Sequence, residues 1–175
     1  IGGAIAARYL FPERVERMLS YCDRDLDKPV IKVPPRFGAA TPVRVAANAV
    51  MAGCKPEYLP VVLAAVEAAC TSEFNMHGLL ATTMPTGPVL IVNGPIRRAI
   101  GMNAGINVFG QGCRANLTIG RALQLVVRNV GGGRPGEVDR ATHGNPGKLG
   151  FCIAEDEEGS PWPPLASDFG ASPGT

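Results

Sequence analysis

Residues 114–133 read RANLTIGRALQLVVRNVGGG, a stretch with a strong helix signal. Apolar side chains recur in it at intervals of three and four residues, the period of a helix with one buried face. They are Ile119, Leu123, Val126, Val127 and Val130. Asn116 is of a type that caps helix amino termini, and the three glycines end such a helix. The pattern predicts a helix capped by Asn116 that packs against the core.

Three more helices are predicted on the amino-terminal side of this stretch. Residues 12–21 carry apolar side chains on one side and charges on the other. Residues 43–51 follow Thr41 and Pro42, which are typical of a helix start, and stop at Gly53. Residues 57–70 are apolar around most of the circumference and have Pro60 in the first turn, where a missing N–H is tolerated.

Short strands and long loops fill the rest of the chain. Strands are predicted at residues 30–33, 78–83, 88–92 and 149–154, and residues 101–112 hold four glycines and predict a long loop. We therefore expect a mixed α/β fold, with three or four helices, short strands and glycine-rich loops in a single domain. Its parts are a helix and strand segment over 1–40, the main α/β region over 41–165 and a flexible tail over 166–175.

Composition and charge narrow the classes of function. With 46% hydrophobic residues in 175 the bulk of the chain is expected to fold, and a net charge of +2 disfavours a nucleic-acid partner. The longest apolar stretch, residues 59–70, falls short of a membrane span. Five widely spaced cysteines favour neither a disulfide framework nor a zinc site, so a reduced, cytoplasmic protein is expected. The start at Ile1 suggests processing or a fragment.

A cationic stretch offers a site for an anion. Between residues 71 and 129 the charged side chains are Glu73, Arg97, Arg98, Arg114, Arg121 and Arg128. Arg114, beside the helix start at Asn116, is the best-placed arm for a carboxylate or phosphate. The alternatives are that Arg121 and Arg128 simply face water, and that Arg114 is solvated or held in a structural ion pair.

Other side chains are candidates for chemistry. His77 and His143 each precede a glycine, where an imidazole can act as acid or base or can hold structure by a hydrogen bond. The carboxylates at 155–158 could bind a divalent cation, although a solvated acidic turn is the better expectation, and no metal site is predicted. Cys113, next to Arg114, is the one thiol to test as a nucleophile. Cys54, Cys70 and Cys152 are expected in the core.

Several strings, taken together, resemble one family. They are HG at 77–78, ATT at 81–83, IVNGPI at 91–96, RANLTIGRA at 114–122, NVGG at 129–132, PGEVD at 135–139, PGK at 146–148 and FCIAEDEEGSPW at 151–162. Residues 41–165 resemble the amino-terminal region of the UGSC family of selenoproteins and their cysteine homologues. The resemblance implies thiol-based redox chemistry from a selenocysteine- or cysteine-Gly-Ser-Cys motif in a further domain. No Cys-Gly-Ser-Cys occurs in this chain.

The resemblance gives weight to polar residues within these strings. It implies His77, Asp139 and Glu155 as catalytic candidates. The substrate-binding candidates are Thr82, Thr83, Asn93, Arg114, Asn116 and Lys148, and Thr142 also lies among these loops. Cys113 and His143 fall outside the residues expected to be constant in the family, so both are weaker candidates for catalysis. No cofactor is indicated.

Three hypotheses follow. In the first, the chain is a subunit of a two-chain enzyme that supplies a pocket for a small carboxylate-type substrate, while a partner chain with a Cys-Gly-Ser-Cys type motif supplies the thiol or selenol. In the second, it is a self-sufficient hydratase, lyase or hydrolase for a small carbonyl or carboxylate compound, using His77 with Asp139 or Glu155. In the third, it is a non-catalytic scaffold subunit.

Overall fold

The computed structural model describes residues 11–170, in which helices and short strands alternate. In chain order they are α1 (Pro12–Leu19), β1 (Ile31–Val33), β2 (Gly38–Ala40), α2 (Pro42–Ala52), α3 (Leu59–Ala69), α4 (Met76–Ala81), β3 (Leu90–Val92), α5 (Ile96–Ala99), α6 (Arg114–Asn129), β4 (Cys152–Ala154) and α7 (Leu165–Asp168). Short 3-10 turns lie at Pro56–Tyr58 and Pro146–Lys148. The mixed α/β class is confirmed, and one apolar core joins the elements.

Helix α6 is the centre of that core. Ile119, Leu123, Val126 and Val127 are buried on one face, and α2, α3 and β4 all pack against it. The prediction that Asn116 caps this helix is wrong, because α6 begins at Arg114 and Cys113 occupies the cap position. The physical reason is that the buried Asn116 side chain bonds to the backbone of a neighbouring loop instead of to the helix amino terminus.

The predictions for α1, α2 and α3 are confirmed. In α2 the Thr41 side chain accepts a hydrogen bond from the Arg44 N–H at 3.4 Å, and Gly53 ends the helix with a φ of 91°. That left-handed conformation favours glycine. In α3 both Leu59 and Val62 are fully buried, as expected for a helix covered on several sides. In α1, Val15 and Met18 join the same core.

The strands form two separate pairs. β1 and β2 are antiparallel, with Ile31 opposite Ala40, whereas β3 and β4 are parallel, with Leu90 opposite Cys152 and Val92 opposite Ala154. The predicted strands at 30–33, 88–92 and 149–154 are confirmed in shorter form. Because β3 and β4 run in the same direction, the residues that follow them meet at one edge.

The strand predicted at 78–83 is wrong, because this segment lies largely in the short helix α4. The Asn75 side chain accepts a hydrogen bond from the Gly78 N–H at 3.1 Å and so starts the helix. Met76 and Leu80 are both buried, four residues apart on the same face. A short apolar run fits either a strand or a helix, and here tertiary packing selects the helix.

The carboxyl-terminal segment passes back over the carboxyl end of β4. Helix α7 lies there, and the Leu165 N–H donates to both carboxylate oxygens of Glu155 at 3.1 and 3.0 Å. Part of the tail predicted over 166–175 therefore belongs to this short helix. Its last five residues, like residues 1–10 of the amino-terminal segment, lie outside the described residues.

Candidate functional site

Two site candidates meet at the carboxyl edge of the parallel strands. Asn93 directly follows β3 and Glu155 directly follows β4, so the register of the two strands places them side by side. The Asn93 amide Nδ2 donates to the Glu155 carboxylate, and also to Glu157 Oε1 at 3.1 Å. The two sequence strings that contain these residues are therefore joined at one place.

A buried arginine pairs with two carboxylates of the acidic run beside this edge. Arg97 is only 5% exposed, and its Nη1 donates to Glu158 at 2.9 Å while its Nη2 donates to Glu157 at 2.6 Å. Hydrogen bonds from Arg97 lower the pKa of both carboxyls, that of Glu158 to about 2, and the carboxylates raise the pKa of Arg97. Arg98 also pairs with Glu158 at 2.7 Å. This run is thus an ion-pair network and not a purely solvated turn.

No metal site is formed by this network. Across residues 11–170, no three His, Cys, Asp or Glu side chains come together in a way that would hold an ion. The carboxylates are instead engaged with protein donors. Glu155 accepts from Asn93 and from the Leu165 N–H, and Glu157 accepts from Arg97 and from the Gly94 N–H at 2.7 Å.

An apolar groove of about 460 Å³ opens beside Asn93. Helix α3 lines one side with small side chains and β3 lines the other; the lining residues are Pro60, Val61, Ala64, Ala65, Ala68, Leu90, Ile91, Val92, Asn93 and Ile96. Asn93 is the one polar residue in this set. A groove of this size with few polar groups is typical of sites for small organic molecules.

A second group of site candidates lies between α4 and the loop before β4. Asp139 and Lys148 form an ion pair at 2.9 Å, with each side chain 14% exposed. The backbone N–H of Thr142 donates to the carbonyl of Thr83 at 3.0 Å, which ties the two loops together. The Thr82 hydroxyl accepts from the Met84 N–H at 3.2 Å. These polar groups are largely engaged with one another.

A third group lies at the start of α6. The buried Asn116 side chain accepts from the Asn103 N–H at 3.1 Å and donates to the Asn103 carbonyl at 3.0 Å, so it holds the glycine-rich loop. Arg114 is exposed, and its Nε donates to the Gly53 carbonyl at 2.9 Å. The Cys113 thiol points to Asn116 Oδ1 at 3.1 Å. Arg121 and Arg128 face solvent, as expected.

In the described part of the chain, neither histidine is hydrogen-bonded to a residue of these three groups. His77 in α4 and His143 in a loop are both exposed. Within residues 11–170 no hydrogen bond or ion pair joins His77 to Asp139 or to Glu155. A role for His77 as acid or base therefore requires contact with a substrate or with a second chain.

Three of the cysteines are core residues, as predicted. Burial raises the pKa of the Cys54 and Cys70 thiols to about 11 and that of Cys152 to about 12. A thiol with such a pKa is protonated at neutral pH and is a poor nucleophile. Cys113 and Cys22 are the two described cysteines that reach the surface in part.

Comparison with known protein families, with curated proteins and with solved structures found no match. The UGSC resemblance therefore stays a prediction. In the part of the chain that the structure describes, no helix has both the length and the apolar character that crossing a membrane requires.

Sequence reasoning missed the two features that define the edge of β3 and β4. One is the pairing of Arg97 with the acidic run, for which the only signal was the pair of arginines at 97–98 and the pair of glutamates at 157–158. The other is the groove, whose small residues Pro60, Ala64 and Ala68 recur every fourth position on α3. That spacing predicts one helix face, but it does not say what the face lies beside.

Proposed function

We propose that this chain is the substrate-binding subunit of an enzyme that acts on a small organic molecule. The observation that carries the proposal is the apolar groove, whose one polar lining residue, Asn93, is hydrogen-bonded to Glu155. In this proposal the groove holds the apolar body of the substrate. Asn93 orients its polar group, and Glu155 lies close enough to Asn93 to serve as an acid or base.

The thiol or selenol of the proposed reaction comes from a partner chain. Cys54, Cys70 and Cys152 are buried and protonated, so they do not supply a nucleophile. The resemblance to the UGSC family supports a second chain with a Cys-Gly-Ser-Cys type motif, because the thiol or selenol of that family belongs to such a motif. In this arrangement the present chain binds the substrate and its partner supplies the redox chemistry.

The edge of β3 offers a place for the partner. Leu90 and Val92 bond to residues on the β4 side, so the N–H and carbonyl of Ile91 point to the opposite edge. Within the described residues no third strand pairs there, and Ile91 is 43% exposed. A parallel pair of strands is usually part of a larger covered sheet. A strand of the partner that paired with this edge would lie beside the groove.

A carboxylate group on the substrate has a second candidate site at the start of α6. Within residues 11–170, the side chain at the cap position of this sixteen-residue helix makes no capping hydrogen bond, and the guanidinium of Arg114 has no carboxylate partner. Free N–H groups and a cation favour an anion. Arg114 remains the proposed anion-binding residue, the buried Asn116 supports this site through its bonds to Asn103, and Lys148, Thr82 and Thr83 stay proposed substrate-binding residues of the separate group near α4.

The two alternative functions make different demands on the same residues. A self-sufficient hydratase, lyase or hydrolase needs His77 with Asp139 or Glu155, yet Asp139 is paired with Lys148 and His77 contacts neither carboxylate. A scaffold subunit needs neither an open groove nor polar groups at its end. The geometry favours the substrate-binding subunit over both.

The proposal is tested by ligand-observed NMR with a collection of small alcohols, amides, neutral carbonyl compounds and carboxylates. Wild-type protein is compared with Ala64→Phe, which fills the groove from an exposed position on α3, and with Arg114→Ala. We expect some of these compounds to bind the wild-type protein, and we expect their binding signals to be lost with Ala64→Phe. Carboxylates lost only in Arg114→Ala would move the site to α6. The absence of binding compounds, together with weakened assembly of both variants in native mass spectrometry, would establish the scaffold function instead.

A further inference from the structure

The orientation of the Asn93 side chain determines what the groove can recognise. Its Nδ2 donates to Glu155 and to Glu157, and ionised carboxylates only accept hydrogen bonds. The reverse orientation of the amide would place Oδ1 against two carboxylates and lose both bonds. The network therefore assigns the amide nitrogen to the acidic side and leaves Oδ1 for other contacts.

The remaining oxygen of Asn93 has no protein donor. Among residues 11–170 no hydrogen bond to Asn93 Oδ1 is made, and the other nine residues that line the groove are apolar. Arg97 cannot turn toward a ligand without breaking its bonds to Glu157 and Glu158. The Asn93 side chain thus adds a hydrogen-bond acceptor to a lining whose other side chains are apolar, with carboxylates behind it.

Charge at this end acts in the same direction. Glu157 and Glu158 pair with Arg97 and Arg98, whereas Glu155 has no cationic partner among the described residues, so the excess charge is negative. A ligand carboxylate placed at Asn93 would meet an acceptor and a negative field. An alcohol, an amine or an amide N–H would donate to the Asn93 oxygen, which accepts from no donor among residues 11–170.

We propose that the groove selects ligands with an apolar body and a hydrogen-bond-donating head group, and that it discriminates against carboxylates. This specificity rests on the function proposed above and names the substrate class of its groove. The two candidate sites then have different roles. Asn93 binds the hydrogen-bond donor of a substrate, and Arg114 binds a carboxylate if the substrate carries one.

Four probes with the same phenyl ring test the specificity: toluene, benzyl alcohol, benzylamine and benzoate. Dissociation constants are measured by ligand-observed NMR with wild-type protein and with Ala64→Phe as the control that fills the groove. A neutral hydrogen bond contributes about 1 kcal/mol, so benzyl alcohol should bind roughly fivefold more tightly than toluene. Benzylamine should bind at least as well as the alcohol, and benzoate should bind more weakly than toluene. All binding in the groove should be lost in Ala64→Phe, and any benzoate binding that persists in that variant belongs to the separate Arg114 site.

The outcomes separate the specificity from the function on which it rests. Equal binding of toluene and benzyl alcohol that is lost in Ala64→Phe would leave the groove as a ligand site and overturn the donor specificity. Tightest binding by benzoate, lost in Ala64→Phe, would overturn it as well. If none of the four probes bound, both the groove site and its specificity would be rejected. Asn93→Asp adds a second measure: where it folds, it should raise the preference for benzylamine over benzyl alcohol severalfold.

Discussion

The side-chain amide of Asn93 donates a hydrogen bond to the carboxylate of Glu155, a residue 62 positions later in the chain. The bond exists because β3 and β4 are parallel and in a register that ends both strands at the same edge. The same amide also reaches Glu157, so one small side chain connects the end of β3 to the acidic run. The groove opens next to it.

Replacing Asn93 by aspartate should destabilise the protein at pH 7. The new carboxylate would face Glu155 and Glu157 and would remove the donor that both now use, at a cost of about 1–3 kcal/mol. Part of the loss should be regained near pH 4, where one of the crowded carboxylates takes up a proton. Urea unfolding at the two pH values measures the effect. Adding Glu155→Gln should restore stability at pH 7, since its amide can donate; no restoration would contradict the assigned bond.

The two adjacent arginines should differ strongly in their effect on stability. Arg97→Met removes a buried cation and leaves Glu157, itself mostly buried, without its main partner, so we expect a loss of about 2–4 kcal/mol. Arg98→Met is the matched control, because its side chain is 66% exposed and an exposed pair contributes about 0–1 kcal/mol. Chemical denaturation of both variants tests this difference. Equal losses would mean that Arg97 is not buried in the network.

Acid should weaken the fold through the same network. The pKa of Glu157 and Glu158 is lower in the folded protein than its ordinary value of 4.5, and that of Glu158 is about 2. A lowered pKa stabilises the fold above the ordinary value and loses that contribution as pH falls through the folded value. The free energy of unfolding should thus decrease between about pH 4.5 and pH 2. Its slope should be shallower in Arg97→Met, and an unchanged slope would exclude the network as its source.

Alkylation should divide the cysteines into two groups. At pH 8 the native protein should react with iodoacetamide at Cys22 and Cys113, which are partly exposed. Cys54, Cys70 and Cys152 should stay unmodified, since burial raises the pKa of their thiols to about 11 or 12 and blocks access. Peptide mass spectrometry reads the sites, and urea-unfolded protein, in which all five should react, is the control. Rapid native labelling of Cys152 would contradict its place in the core.

Gly131 should tolerate no side chain. A Cβ there would lie 2.7 Å from the Val127 carbonyl oxygen and closer still to the Pro34 carbonyl oxygen, where α6 ends against the turn after β1. Gly131→Ala should cost roughly 3 kcal/mol, the upper part of the range for overpacking. Gly105→Ala is the control, because its Cβ would meet only Asn103 Oδ1, at 3.9 Å. Thermal unfolding of the two variants checks the difference, and a stable Gly131→Ala protein would place the end of α6 elsewhere.

Local signals in the sequence predicted most helices for physical reasons that the structure confirms. Thr41 and Gly53 act within a few residues of their own backbone, so their roles in α2 could be inferred without the rest of the fold. The stripe on α6 was predictable because burial follows helical spacing. The segment at 78–83 was not, since six apolar or small residues fit a strand as well as a helix. The sequence predicts Asn116 as a helix cap, because asparagine is a common cap residue and nothing in the sequence shows that Asn103 lies within reach of its side chain.

The amino-acid sequence alone was enough to predict the mixed α/β class, the positions of the long helices and the polar residues that lie in glycine-rich loops. Which of these residues meet depends on the packing of distant segments. Asn93 is hydrogen-bonded to Glu155, Asp139 is paired with Lys148, and Arg97 forms ion pairs with glutamates about 60 residues away. Secondary structure depends on propensities and spacings within one segment, whereas these contacts depend on strand register and on the packing of distant segments.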